Sequence, residues 1–217
     1  MPLDCGTVKY QLEARAISMP AADTVTADTD YRRRLLDAMA HAVARKGYAE
    51  TTIADLAAEA RVSRRTFYEH FATKADCLIA LYEAASEQAL GVLKAAIDPA
   101  RDWHEQVEQA LRAYLATLSC NPVLLRTLFI AILGLGSEGL QARRRANQHL
   151  ADFILQVVNT PGKAKRRQPL AAPLAMGIVG AVNELILQAI EQGRADRLPE
   201  LTPAAASIAR AVIDGSA

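Results

Sequence analysis

Arg64, Arg65, Thr66 and Tyr68 crowd into the stretch GYAETTIADLAAEARVSRRTFYEHFATKAD, residues 47–76. A guanidinium pairs bidentately with guanine O6 and N7 or bridges phosphates. A threonine touches a thymine methyl or a phosphate, and Tyr68 and His70 can donate to phosphate oxygens. This is chemistry for entering the major groove of DNA. It requires an exposed helical face of donors, an apolar face anchored to a scaffold, and a sharp turn before the helix. Ser63 stands where it can cap that helix, whose free N–H groups also favour phosphate. Lys74, opening the following helix, adds a phosphate donor. Two adjacent arginines alone would describe an ordinary solvated face. Their combination with a turn, a cap and aromatic anchors favours the groove-reading role.

The elements that position these residues follow from apolar spacing. Leu35, Leu36, Met39 and Val43 lie on one helical stripe from about Tyr31 onward, stopped at Gly47. Ile53, Leu56, Ala57 and Ala60 repeat as a second, short helix, opened by the capping pair Thr52 and Asp55. A third helix begins near Ser63 and buries Phe67. Thr73 and Asp76 repeat the capping pattern before a longer fourth helix. Asp98-Pro99 breaks the chain, and a fifth helix carries Trp103, Val107, Leu111, Tyr114 and Leu118. Asn121-Pro122 starts a sixth, about 122–133, which is apolar nearly all round and is therefore expected to be buried on all sides. Further helices are expected at about 138–158, 171–192 and 203–214. No segment alternates with period two over strand length. The expected fold is all-α, with about nine helices: a three-helix helix-turn-helix domain at 30–76 and a larger helical domain at 77–217. Residues 1–29 read as a mobile arm, of which 1–18 are expected to be dispensable, since Met19 could itself be a start.

Composition bounds the function. The chain has 217 residues, 51% of them apolar, and a net charge of +1. That charge alone predicts no nucleic-acid partner, but its distribution does. Residues 1–30 carry net −3, residues 31–76 net +3 and residues 77–217 net +1. No apolar run approaches the roughly 18 residues of a membrane span, and no secretory signal is evident, so a cytoplasmic protein without a membrane partner is expected. Cys5, Cys77 and Cys120 match neither a disulfide framework nor a zinc spacing. His104 and His149 read as surface or core groups. No metal and no cofactor is expected. Paired carboxylates, a phosphate-binding glycine loop and a nucleophile with its base are all lacking, so no enzyme is expected.

The stretch TTIADLAAEARVSRRTFYEHFATKADCL resembles the N-terminal domain of TetR-type (tetracycline-repressor-like) transcriptional regulators. The match runs through Thr51, Thr52, Ile53, Ala54, Val62, Ser63, Thr66, Phe67, Tyr68, His70, Phe71, Lys74 and Leu78. Residues and resemblance together make Arg32, Thr51, Thr52, Arg61, Ser63, Arg64, Arg65, Thr66, Tyr68, His70 and Lys74 the expected DNA contacts. The chain departs from the pattern at the turn, where Arg61 replaces the usual glycine. A left-handed conformation there costs a non-glycine residue about 1–2 kcal/mol, so Arg61 either tolerates strain and adds a phosphate contact or changes the turn. Arg64-Arg65 also stands where many relatives have one basic residue and a glycine. The run Arg32-Arg33-Arg34 lies at a helix end that family members often use to track the DNA backbone.

The resemblance further implies a double-stranded DNA operator, a small-molecule effector bound by the middle helices, and a homodimer. Two reading heads about 34–36 Å apart, or a multiple, then meet two half-sites. Trp103, Tyr114, Phe129, Leu133 and Phe153 are expected at an apolar effector cavity. Asn183, a polar interruption of an apolar helix, either orients the effector or joins a network between subunits. Leu174, Gly177, Ile178, Ala181 and Leu185 of the eighth helix, with Ile208 and Val212 of the ninth, are the expected dimer interface. Arg143-Arg144-Arg145 and the basic loop Lys163, Lys165, Arg166 and Arg167 read as solvated. The expected function is a ligand-responsive repressor released from a palindromic operator by a small apolar or amphipathic effector. The alternatives are a regulator controlled by a protein partner or by no effector, and a helical-bundle enzyme.

Overall fold

The computed structural model describes residues 23–98, 101–160 and 169–215. The expectations for the start of the arm, for Cys5, for Pro99 and for the basic loop at 163–167 fall outside these residues. The described residues form nine α-helices: α1 (Asp23–Glu50), α2 (Ile53–Ala60), α3 (Arg64–His70), α4 (Lys74–Ala96), α5 (Trp103–Ser119), α6 (Pro122–Ala131), α7 (Gly136–Val158), α8 (Ala172–Glu191) and α9 (Thr202–Gly215). Among them there is no strand. Short 3-10 segments at Leu133–Leu135 and Ala195–Leu201 join α6 to α7 and α8 to α9.

The chain divides into two compact units, one ending at Leu81 and the other beginning at Tyr82, so the division falls within α4. In the first unit, Leu35, Met39 and Val43 of α1, Leu56 of α2, Phe67 of α3, and Leu78 and Leu81 of α4 are all essentially without solvent exposure. α1 starts at Asp23, earlier than the apolar stripe indicated. Its helical geometry breaks at Gly47, whose φ of 79° and ψ of 165° no helix contains, which is the expected stop.

The second unit packs α5, α7, α8 and α9 around Leu115, Ile186, Ile190, Leu198 and Ala205. Side-chain caps set its helix starts. Asn121 Oδ1 accepts from the Leu124 N–H at 3.0 Å with Pro122 at the first helical position, and Asp102 accepts from the His104 N–H at 2.9 Å. Contacts between α4 and α7, the Glu83–Arg145 ion pair and His149 Nδ1 at 3.8 Å from Glu87 Oε2, step four residues along each helix. One of the three arginines expected to be solvated is thus paired, though such exposed pairs contribute little.

α6 departs from expectation. It packs against α5 and the 195–201 segment through Leu124, Leu125 and Leu128, while Val123 and Ile130 are nearly half exposed. An all-round apolar composition predicted burial on every side, but the helix lies at the edge of the unit and has neighbours on one face only. Two helical stretches, Pro122–Val158 and Ala172–Glu191, are long and apolar enough to cross a membrane by length and hydropathy alone. The first is broken at Gly136 (φ 66°). The second, α8, supplies Ile178, Val179, Val182 and Ile186 to the unit's core.

Gly139 has a specific steric duty. A Cβ there would lie 1.8 Å from the Ile132 carbonyl oxygen, inside any allowed contact. Gly139→Ala is therefore expected to lower folding stability by about 1–3 kcal/mol, measured as a shift in the denaturant midpoint. An unchanged midpoint would show that the 132–139 turn relaxes freely.

Candidate nucleic-acid interface and internal cavity

The candidate reading helix is short, and its placement depends on how the chain enters and leaves it. α2 opens with a reciprocal capping box. The Asp55 N–H donates to Thr52 Oγ1 at 3.2 Å, and Thr52 N–H and hydroxyl donate to Asp55 Oδ2 at 2.7 and 2.6 Å. The Lys46 ammonium, 2.6 Å from the same carboxylate, and these Thr52 donors hold the Asp55 carboxyl well below the usual carboxylate range. Thr52 is thereby committed to the cap, although it stays exposed.

α2 ends at Arg61, which adopts the left-handed conformation (φ 55°, ψ 47°) and is the only non-glycine residue with positive φ among those described. The Val62 N–H reaches Ala57 O at 2.9 Å and the Arg61 N–H reaches Ala58 O at 3.1 Å, which closes the turn. The Arg34 guanidinium then donates to the carbonyls of Ala60 and, at 3.0 Å, Arg61. These are acceptors that a helix end leaves open. Arg34 was read as part of a DNA-facing basic run, and nothing local in the sequence links it to a turn 26 residues away. Of its neighbours, Arg33 pairs with Asp30 at 2.7 Å, and the Arg32 guanidinium lies 5.3 Å from the Phe71 ring centre.

α3 begins on Ser63, whose hydroxyl oxygen accepts the Thr66 N–H at 3.0 Å. Phe67 is its buried anchor, with Tyr68 edge-on at 5.6 Å and Phe71 at 5.8 Å. The outer face carries Arg64, Arg65 and Tyr68, all exposed, with Thr66 and His70 half-buried beside them. Arg64 makes no ion pair or hydrogen bond among the described residues. Arg65 meets Glu69 at 3.1 Å, yet its side chain is 89% exposed. Such a surface pair is worth only a few tenths of a kcal/mol and yields easily to a stronger acceptor.

Two expected DNA contacts are used inside the protein instead. Thr51 is buried, and its hydroxyl donates to Gly47 O at 2.7 Å, so it presents nothing to solvent. The Lys74 ammonium donates to the carbonyls of Thr51 at 2.7 Å, Tyr48 at 2.9 Å and Ala49 at 3.4 Å, and lies 4.2 Å from the Tyr48 ring centre. Lys74 gathers the α1–α2 connection rather than projecting from it. The Cys77 thiol, buried beneath, is pushed up to about 12 by burial, which makes it an inert packing group.

The second unit holds a cavity of about 100 Å³. Of the residues expected to line it, Trp103, Tyr114, Phe153 and Asn183 do so. Phe129 instead packs against the core beside Leu125, and Leu133 is 38% exposed in the short 3-10 turn after α6. Both misplacements follow from the peripheral position of α6. Burial raises the Tyr114 phenol above its ordinary range. Asn183 donates to Asn147 Oδ1 at 3.0 Å, a bond within one chain.

Of the expected dimer residues, Leu174 and Gly177 are exposed on α8 and Ala181 is half-buried beside them. Ile178 is buried and lines the cavity of its own chain. Leu185 and Val212 pack against their own unit's core, and Ile208 is half-buried. Steps of about 3.6 residues per turn place 174, 178, 181 and 185 on one stripe, along which Leu174 is exposed, Ala181 and Leu185 are half-buried and Ile178 is buried. Among the described residues no group of three or more His, Cys, Asp or Glu side chains could hold a metal ion.

A compact helical head with a capped turn and an exposed basic helix has the arrangement of a helix-turn-helix unit. Residues 35–81 match the family model of "Bacterial regulatory proteins, tetR family". The match lies within the N-terminal head, so it is this segment that is similar to the tetR-family regulatory proteins. The nucleoid occlusion factor SlmA of Aliivibrio fischeri (strain MJ11) is 29% identical over 151 residues, covering 69% of this chain and 76% of that protein. A TetR-family transcriptional regulator from Mesorhizobium loti MAFF303099 has a TM-score of 0.66 at 19% identity, over 87% of this chain and 97% of that one. The transcriptional regulator FadR from Bacillus subtilis, solved with stearoyl-CoA, also has a TM-score of 0.66 at 19% identity, over 84% and 97%. These structures share the TetR-like fold.

Arg61→Gly should raise folding stability by about 1 kcal/mol by relieving the left-handed strain, measured by denaturant unfolding. A loss of stability would mean that the Arg61 side chain contributes more than its conformation costs. Lys74→Met should lower DNA affinity without changing the slope of log affinity against log salt, because the ammonium is not spent on phosphate. A slope reduced by about one would instead mark a phosphate contact.

Proposed function

We propose that this chain is a homodimeric, ligand-responsive transcriptional repressor that binds a palindromic operator in the cytoplasm. The observation that carries this reading is the exposed face of α3. Arg64, Arg65 and Tyr68 stand on a helix anchored by Phe67 and capped by Ser63, within the basic segment of the chain. In this reading Arg64 and Arg65 read base edges. Ser63, Thr66, Tyr68, His70 and the exposed Arg32 and Arg61 position the head on phosphates. Leu174, Gly177 and Ala181, where small residues allow close approach, form the centre of the dimer contact on α8.

Control enters through the cavity. α4 starts at Lys74, which holds the α1–α2 connection, and carries Leu93 of the cavity wall near its other end. An effector that binds the released conformation more tightly shifts the population away from the DNA-bound one. Movement of α4 then changes the spacing of the two heads.

A second reading, control by a protein partner, is favoured by two observations. The cavity of about 100 Å³ is small beside ordinary ligand pockets of about 300–1,000 Å³, and the similar Aliivibrio fischeri protein bears the name of a nucleoid occlusion factor. A thermal-shift screen of small molecules followed by release from DNA separates the two.

Gel shift with the duplex upstream of the chain's own coding sequence tests the main proposal. Saturable binding is expected, with Arg64→Ala and Arg65→Ala each costing about 1–3 kcal/mol on that duplex and little on unrelated DNA. Equal losses on every duplex would make both arginines backbone contacts. No binding at all would remove the proposed role.

A further inference from the structure

Arg65 and Glu69 stand about one turn apart on α3, with Arg65 Nε 3.1 Å from Glu69 Oε1. Both side chains are more than half exposed, and the carboxylate has no other hydrogen bond or ion pair among the described residues. Helix stability does not account for the pair. A cation four residues before an anion is the weaker order for such contacts. A cation in the first turn and an anion toward the last also oppose the helix dipole, which favours the reverse. A carboxylate on this face, moreover, is repelled by every phosphate that comes near it.

The donors of the pair give it a use. A guanidinium carries five N–H donors in a rigid fork. The Arg65 Nε–H is spent on Glu69, which leaves the four Nη donors without a described partner. Guanine O6 and N7 are uncharged acceptors that take two such donors side by side. A phosphate attracts a cation chiefly by charge, and a guanidinium already balanced by a carboxylate offers it little. In open solvent the pair is weak. Water leaves as the face closes on a duplex, and the attraction between the two groups rises as the local dielectric falls.

We propose that Glu69 is a positioning residue for Arg65. It holds Nε and turns the Nη fork toward the base edges, so that Arg65 selects guanine instead of gripping phosphate. The proposal rests on the reading of α3 as the DNA-reading helix, and adds the residue that directs one of its arginines.

Base-by-base substitution across a duplex selected by the full chain tests it, with affinities measured by fluorescence anisotropy. Arg65→Ala locates the base pair that Arg65 reads, as the one where guanine ceases to be preferred. Glu69→Ala should reduce the guanine preference at that same base pair from about tenfold to about twofold and leave the other preferences unchanged. Glu69→Gln keeps the side-chain size and an acceptor but drops the charge. It should raise affinity for an unrelated duplex about threefold and steepen log affinity against log salt by about one. A merely structural role would lower every base preference together and leave the salt slope alone. The proposal is overturned if Glu69→Ala keeps the guanine preference, if it loses preference at all base pairs alike, or if Glu69→Gln leaves the slope unchanged. It is also overturned if Arg65→Ala flattens no base pair while Arg64→Ala flattens one, an outcome that upholds the reading of α3. A chain that selects no sequence at all overturns that reading and this proposal with it.

Discussion

A single left-handed residue sets where the exposed basic helix α3 goes. Arg61 turns the chain from α2 into α3 with φ 55° and ψ 47°, a conformation that disfavours any side chain by about 1–2 kcal/mol. It persists because its surroundings over-determine it. Two backbone N–H groups close the turn onto Ala57 and Ala58, and the Arg34 guanidinium takes the carbonyls of Ala60 and Arg61. If the turn opened, Ser63 would lose its register as the α3 cap, and Phe67 would lose the pocket that aims Arg64 and Arg65 outward. The basic reading face thus depends on a backbone angle held by a cation from a different helix.

The same device recurs on the other side of the head. Lys74 draws the carbonyls of Tyr48, Ala49 and Thr51 together, ahead of the Thr52–Asp55 cap that starts α2. Charge-assisted bonds of this kind are stronger than neutral ones, and they fix an irregular connection that otherwise has little to hold it. Part of the positive charge of residues 31–76 is therefore spent on building the domain. Arg34 and Lys74 are structural cations, whereas Arg61, Arg64 and Arg65 stay in solvent.

Local patterns made much of this head legible from sequence. The capping pairs at Thr52 and Asp55 and at Thr73 and Asp76, the stop at Gly47 and the anchor Phe67 are all set by residues within a few positions of one another. Arg61 was recognisable as a strained position because a side chain stands where the turn needs positive φ. What stayed hidden was long-range. The Arg34 clamp spans 26 residues, and the Lys74 clamp 23 to 26. Composition cannot tell a cation facing carbonyls from one facing phosphate. The second unit was legible as helices and only partly as packing. α6 has the composition of a core helix yet lies at an edge, so Phe129 and Leu133 miss the cavity. On α8, Leu174 and Ile178 share one helical stripe, yet only Ile178 is buried and lines the cavity, a difference that sequence spacing does not show.

These features assemble into one account, in which rigid local clamps present α3 and an apolar cavity in the second unit offers a place for control. Its central claim is sequence-specific reading of DNA by the exposed face of α3. The most direct measurement is selection of duplexes bound by the full chain from a random library. The account predicts enrichment of a two-fold symmetric sequence whose half-site centres lie about 34–36 Å apart, or a multiple of that distance, along the duplex. A bound pool with no sequence enriched over the starting library would contradict it.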